Sequence, residues 1–104
     1  EACQAWRPVD HMIIYNVAGD SDAQGMIADG RAVLAAIPGV REVFAGEAVK
    51  DDAGYRYSWN VRFCHPDVID SYRDHPDHVE FANKRFRPVA ADRISIDFQE
   101  IPTR

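Results

Sequence analysis

The stretch YRDHPDHVEF, Tyr72 to Phe81, gathers a tyrosine, two histidines and a phenylalanine around a proline. A neutral imidazole, with an ordinary pKa near ~6.5, accepts a proton at physiological pH, and a phenol donates one. Beside a pocket, Tyr72 and His78 would enolise a ketone and hold the resulting oxyanion. That pairing serves aldol cyclisation, isomerisation or recognition of a polar ligand. On one unbroken helix the two side chains would stand about 120° apart. Pro76 breaks the helix and lifts that objection, although a break alone does not make them converge. His11, at the inward face of a strand start, is the third candidate.

Each of these residues has a plainer reading. His75 and His65 each precede a proline and read as helix caps. His78 falls on the apolar side of its helix, where a histidine bonded to backbone competes with an acid–base one. Tyr72 extends the Val68/Ile69 stripe, so core packing is an equal reading. Asp74, His75, Asp77 and His78 crowd together, but the two histidines are three apart and do not form the i, i+4 His pair of a helical zinc site, and no metal is expected. No G-x-G-x-x-G, Walker loop, G-x-S-x-G or C-x-x-C occurs. Neither a nucleotide cofactor nor covalent catalysis is supported, and no cofactor is expected.

The elements that must position these groups follow from periodicity. "HMIIYNV" (His11–Val17) reads as a strand with two largely apolar faces, so something must cover each side. Ser21 and Gln24 match a capping box, Asp22 suits a helix N-terminus, and Met26, Ile27, Val33, Leu34 and Ile37 form a helical stripe. Gly30 lies inside that stripe, which suggests close approach by another element. After "IPGV" a short strand spans residues 41–46. "YRYSWNVRF" (Tyr55–Phe63) alternates strictly, with Tyr55, Tyr57, Trp59, Val61 and Phe63 on one face. Pro66 and Pro76 open two further helices, and "RISIDF" (Arg93–Phe98) is the last strand. The order β-α-β-β-α-β, with the second helical region split, is an α+β ferredoxin-like chain. One sheet face carries helices. The other needs a cover, and a second copy of the chain is the expected one.

With 104 residues the chain suits one domain, expected over 9–104 behind a leader segment 1–8. A net charge of −5 argues against nucleic acid, which needs clustered Lys and Arg. No apolar run reaches the ~18 residues of a membrane helix. Two cysteines, Cys3 and Cys64, make no disulfide framework, so a reducing, cytoplasmic location is the default, and Cys64 reads as a small buried hydrophobe.

His11 opening the first strand, "IPGV", Gly46, the Gly54-Tyr55 to Phe63 strand, Tyr72-x-x-His75-Pro76-x-His78-x-x-Phe81 and the closing Asp97-Phe98 together resemble the stress-responsive α/β-barrel (Dabb) family. The resemblance runs from about residue 9 to residue 100. It implies a homodimer whose two sheets pack face to face into one dimeric α+β barrel. Similarity to a plant polyketide cyclase of that family implies acid–base roles for His11, Tyr72 and His78. It also implies a pocket lined by Ile13, Tyr15, Trp59, Val79 and Phe81. Trp59 is far bulkier than the aliphatic residue at that place in the cyclase, so a shorter cavity is expected. Two other readings stay open. One is a non-catalytic stress or assembly protein in which these residues only pack. The other is a cofactor-free monooxygenase using Asn16, Trp59 and His78, although Asn16 and His11 point to opposite faces of their strand.

Overall fold

The computed structural model describes residues 5–103. Its elements are β1 (Val9–Val17), α1 (Ala23–Ala35), β2 (Val40–Glu47), β3 (Tyr57–Phe63), α2 (Val68–Asp74), α3 (Pro76–Phe81), a π-helical turn (Ala82–Phe86) and β4 (Ala90–Gln99). The strands form one antiparallel sheet in the order β2-β3-β1-β4. This is the ferredoxin-like order expected from the alternation.

Strict period two in β3 puts Trp59, Val61 and Phe63 under the helices, each 1% exposed. β3 begins at Tyr57 rather than Tyr55 because side-chain bonds hold the chain just before it. The Arg56 amide donates to Asn16 Oδ1 (2.9 Å), and its guanidinium donates to the carbonyls of Lys50 and Ala48. β1, β2 and β4 each run further than their apolar cores, since ladder pairing carries strands past the residues that drive burial.

The N-cap of α1 is Asp22, whose carboxylate accepts the Gly25 amide at 2.9 Å. The Ser21/Gln24 box does not form, because the helix starts one residue later than that box requires. Gly30 is needed where the sequence placed it. A Cβ there would lie 2.7 Å from both Phe81 Cζ and Trp59 Cη2. The split of the second helical region is local chemistry. Ahead of Pro76, His75 is extended (φ −63°, ψ 133°), as a pre-proline residue prefers. The His75 ring Nδ1 accepts the Asp77 amide at 3.1 Å, and that of His65 accepts the Asp67 amide at 3.0 Å. Both histidines thus take up amides at helix starts. The π turn that follows α3 has no counterpart in the sequence reading.

The face of the sheet away from the helices is open. Three rows cross it in register: Glu42, Arg62, Asp10 and Phe98; then Phe44, Asn60, Met12 and Ile96; then Gly46, Ser58, Ile14 and Ile94. Phe44, Ile94, Ile96 and Phe98 are 42–55% exposed on it. Among the described residues no helix is long and apolar enough to cross a membrane. Cys64 is fully buried, as expected, but it is disulfide-bonded. A cysteine held in a disulfide gives no support to a reducing surrounding. Cys3 lies outside the described residues.

Candidate functional site

β1 delivers His11 to the helix side of the sheet, and β4, its antiparallel neighbour, places Asp97 directly opposite. The Asp97 carboxylate accepts from His11 Nδ1–H at 2.6 Å. Proton on Nδ1 leaves Nε2 as the ring's second nitrogen for the cleft. Asp97 is the functional candidate that the sequence reading missed. Its signal was available, since Asp97 alternates with the outward Ile96 and Phe98 and so had to face the His11 side.

Tyr72 comes from α2 and His78 from α3. The Pro76 break does bring them together: their ring centroids lie 4.4 Å apart. His11 continues the line, 5.7 Å from Tyr72 and 5.8 Å from Phe63. His78 Nδ1 is 3.0 Å from the Arg73 carbonyl oxygen. A carbonyl only accepts, so Nδ1 carries the proton and Nε2 bears the lone pair. Both imidazoles on this line therefore give Nδ1–H to a fixed acceptor.

Burial, first of all, holds His78 below the ordinary imidazole range. The bond to the Arg73 carbonyl offsets this in part, while His11, Arg87 and His75 push the same way as burial. Burial pushes Tyr72 well above the ordinary phenol range, with the Asp97 charge adding to it. At neutral pH the line thus holds a neutral imidazole beside a protonated phenol. A folded-state pKa below the unfolded one means the unfolded chain binds more protons once pH falls below ~6.5. The stability that neutral His78 contributes is present above that pH and is lost on acidification. We expect the urea midpoint of His78→Gln to fall less between pH 7 and pH 5 than that of the parent. An equal fall in both would remove His78 from the acid response.

The three groups border a cleft of about 220 Å³ with Phe63, Ile69, Arg73 and Asp97. Behind Tyr72 and His78 lies a chamber of about 30 Å³, walled by Ile13, Trp59, Phe81 and Phe86 among others. Trp59 forms one wall of this small chamber. Of the five expected lining residues, Ile13, Trp59 and Phe81 reach the chamber. Tyr15 is fully buried beyond it, stacked on Tyr57 and edge-on to Phe86. Val79 is 40% exposed and borders neither space. Asn16 does not join Trp59 and His78. Its amide is held by Gly54 O, Asp92 Oδ2 and the Arg56 N–H. Among the described residues no group of His, Cys, Asp and Glu could hold a metal ion.

The family model described as "Stress responsive A/B Barrel Domain" matches residues 9–100. The chain belongs to that family. Solved structures of related fold agree. A dimeric ferredoxin-like protein of unknown function from Thermobifida fusca aligns at 22% identity, over 91% of this chain and 92% of that one, with a TM-score of 0.77. A hydroxynitrile lyase from Passiflora edulis aligns at 16% identity over 95% and 98%, with a TM-score of 0.81. SnoaB, a cofactor-independent oxygenase from Streptomyces nogalater, aligns at 17% identity over 93% and 96%, with a TM-score of 0.73. No curated protein matches the sequence. At these identities the neighbours establish the ferredoxin-like fold of this stress-responsive barrel chain and no more.

Proposed function

We propose that the cleft beside His11, Tyr72 and His78 binds a small, partly apolar carbonyl compound and carries out cofactor-free acid–base chemistry on it. The observation behind this reading is the line of two imidazoles and one phenol, with both Nδ1–H groups committed to fixed acceptors. His78 Nε2 takes a proton from the carbon next to the carbonyl. The C–H electron pair moves into the C–C bond, and the carbonyl pair moves onto oxygen. Tyr72, kept protonated by burial, donates to that oxygen. His78 Nε2–H returns that proton in the second half of an isomerisation or cyclisation, while His11, oriented by Asp97, faces the same cleft and orients the ligand. Lyase/cyclase or isomerase chemistry fits these roles, and a lyase and an oxygenase occur among proteins of this fold.

Exchange of α-protons of small ketones in D₂O, followed by NMR, tests the reading without a known substrate. We expect exchange above buffer rates, reduced about 10²-fold or more by His78→Ala and less by Tyr72→Phe. Asp97→Leu is expected to lower it too and to shift His11 toward the Nε2–H tautomer in long-range ¹H–¹⁵N spectra. Parent-level exchange in both His78→Ala and Tyr72→Phe would end the catalytic reading.

The small chamber under Trp59 favours a second reading, a ligand-free stress or assembly protein. It makes those same substitutions costly to stability and silent in exchange. On either reading we propose a homodimer through the open sheet faces, consistent with a dimeric relative of the same fold.

A further inference from the structure

Asp97 has two carboxylate oxygens, and the fold uses one of them. Oδ1 accepts the His11 Nδ1–H at 2.6 Å, which holds the imidazole in place. Among the described residues Oδ2 accepts no hydrogen bond. β4 is an edge strand, exposed along most of its length, and the Asp97 side chain is 35% exposed where it borders the cleft. In the free protein solvent satisfies Oδ2.

A ligand that fills the cleft displaces that solvent. A carboxylate oxygen stripped of its donors is costly, because the charge loses hydration that nothing replaces. The ligand must then bring a donor of its own to Oδ2. An apolar group in that place leaves the oxygen bare, and a carboxylate adds repulsion between like charges.

The nearby cations offer an anion no compensation. Arg73 is the only Lys or Arg bordering the cleft, and its guanidinium is already taken up. Nε and Nη2 donate to Asp74 at 2.9 and 3.0 Å, and Nη1 donates to Asp70 at 3.2 Å. A ligand carboxylate would have to displace one of these. Arg87, whose charge bears on His78, borders neither the cleft nor the chamber and donates to Asn83.

The two ends of the cleft thus ask for different groups. Tyr72 and His78, ring against ring, form the end that receives a carbonyl. Asp97 stands at the His11 end. The Tyr72 and His11 rings are 5.7 Å apart, which leaves the breadth of a six-membered ring between the two ends. Phe63 and Ile69 supply apolar wall.

We infer that Asp97 Oδ2 is a substrate-docking group. Through it the cleft selects ketones that carry a hydroxyl or ammonium donor one ring's breadth from the carbonyl, and it rejects carboxylates. This rests on the cleft being a ligand site, and it gives the residue that orients His11 a second role in recognition.

Three cyclohexanones of similar size test it: 4-hydroxycyclohexanone, 4-methylcyclohexanone and 4-oxocyclohexanecarboxylate. Each is titrated into the full chain and followed by NMR at the His11, Tyr72 and His78 rings. The hydroxyl compound should bind about tenfold more tightly than the methyl one, as one charge-assisted hydrogen bond allows. The carboxylate should bind about tenfold more weakly than the methyl compound. Asp97→Asn keeps an oxygen for His11 and puts an NH₂ where Oδ2 stood. In that variant the hydroxyl advantage should fall to about threefold or less, and the carboxylate should gain about tenfold. Equal binding of the hydroxyl and methyl compounds by the parent overturns the inference and leaves the cleft standing. So does a carboxylate that binds as well as either, or an order of affinities that Asp97→Asn leaves unchanged. The parent comparison decides even if the variant does not fold. Silence of all three rings with all three probes overturns the cleft reading and this one with it.

Discussion

Trp59→Ala is expected to lower the unfolding free energy by about 3–5 kcal/mol, a large share of the ~5–15 kcal/mol of a typical domain. Trp59 sits mid-sheet, paired with Ile13 of β1 on one side and Ala45 of β2 on the other. Its indole is 1% exposed, edge-on to Phe81 at 6.4 Å, and its tip occupies the space that Gly30 leaves in α1. Truncation would therefore open a void under α1 that strand pairing on both sides prevents from collapsing. Loss of packing is the main source of the effect. Urea unfolding at neutral pH measures it. A loss under about 1 kcal/mol would mean that the helix layer relaxes onto the sheet.

The second large effect is expected at the open sheet face. Ile96 lies in its middle row, opposite Met12, with Ile94 and Phe98 on either side along β4. These are half-exposed apolar side chains in one patch, which a lone monomer seldom presents. If two such faces pack together, Ile96→Glu places an unpaired carboxylate where a partner's apolar row should lie. Burying it would cost several kcal/mol, and each 1.4 kcal/mol is tenfold in affinity. Self-association should weaken by about a hundredfold or more, giving monomers at micromolar concentration in sedimentation velocity. The helix-side core should stay intact by circular dichroism. A variant that still sediments as a dimer would move the interface elsewhere. Asp10 and Arg62, paired at 2.8 Å in the charged row, mark one end of the patch. That bond holds the Asp10 carboxyl below the usual range, so its contribution is lost on acidification through the lowered pKa.

Much of this architecture is legible in the sequence because it is encoded within a few residues. Alternation in "YSWNVRF" fixes which side chains of β3 go inward. Pro76 sets its own φ and pushes His75 extended, so the helix must break there. The same two His-Pro-Asp runs predict that His65 and His75 accept amides at helix starts, as they do. Gly30 within an apolar stripe foretells a close neighbour, and the order of elements foretells the sheet. Ser21 shows the limit even of local signals. A capping box and an Asp22 cap differ by one residue, and the backbone settles on the second.

The candidate site depends on relations that no window of sequence contains. Pro76 guarantees a break but not its direction; only the packing of α2 and α3 on the sheet brings Tyr72 and His78 to 4.4 Å. His11 and Asp97 are 86 residues apart and meet through the β1–β4 register, which a one-residue slip would undo. Trp59 is legible as an inward residue of β3, whereas the small chamber it walls requires the positions of α1, α3 and the π turn together. Period and backbone restriction are properties of a segment and survive its isolation. Convergence of side chains is a property of register and packing angle, and it exists only in the folded chain.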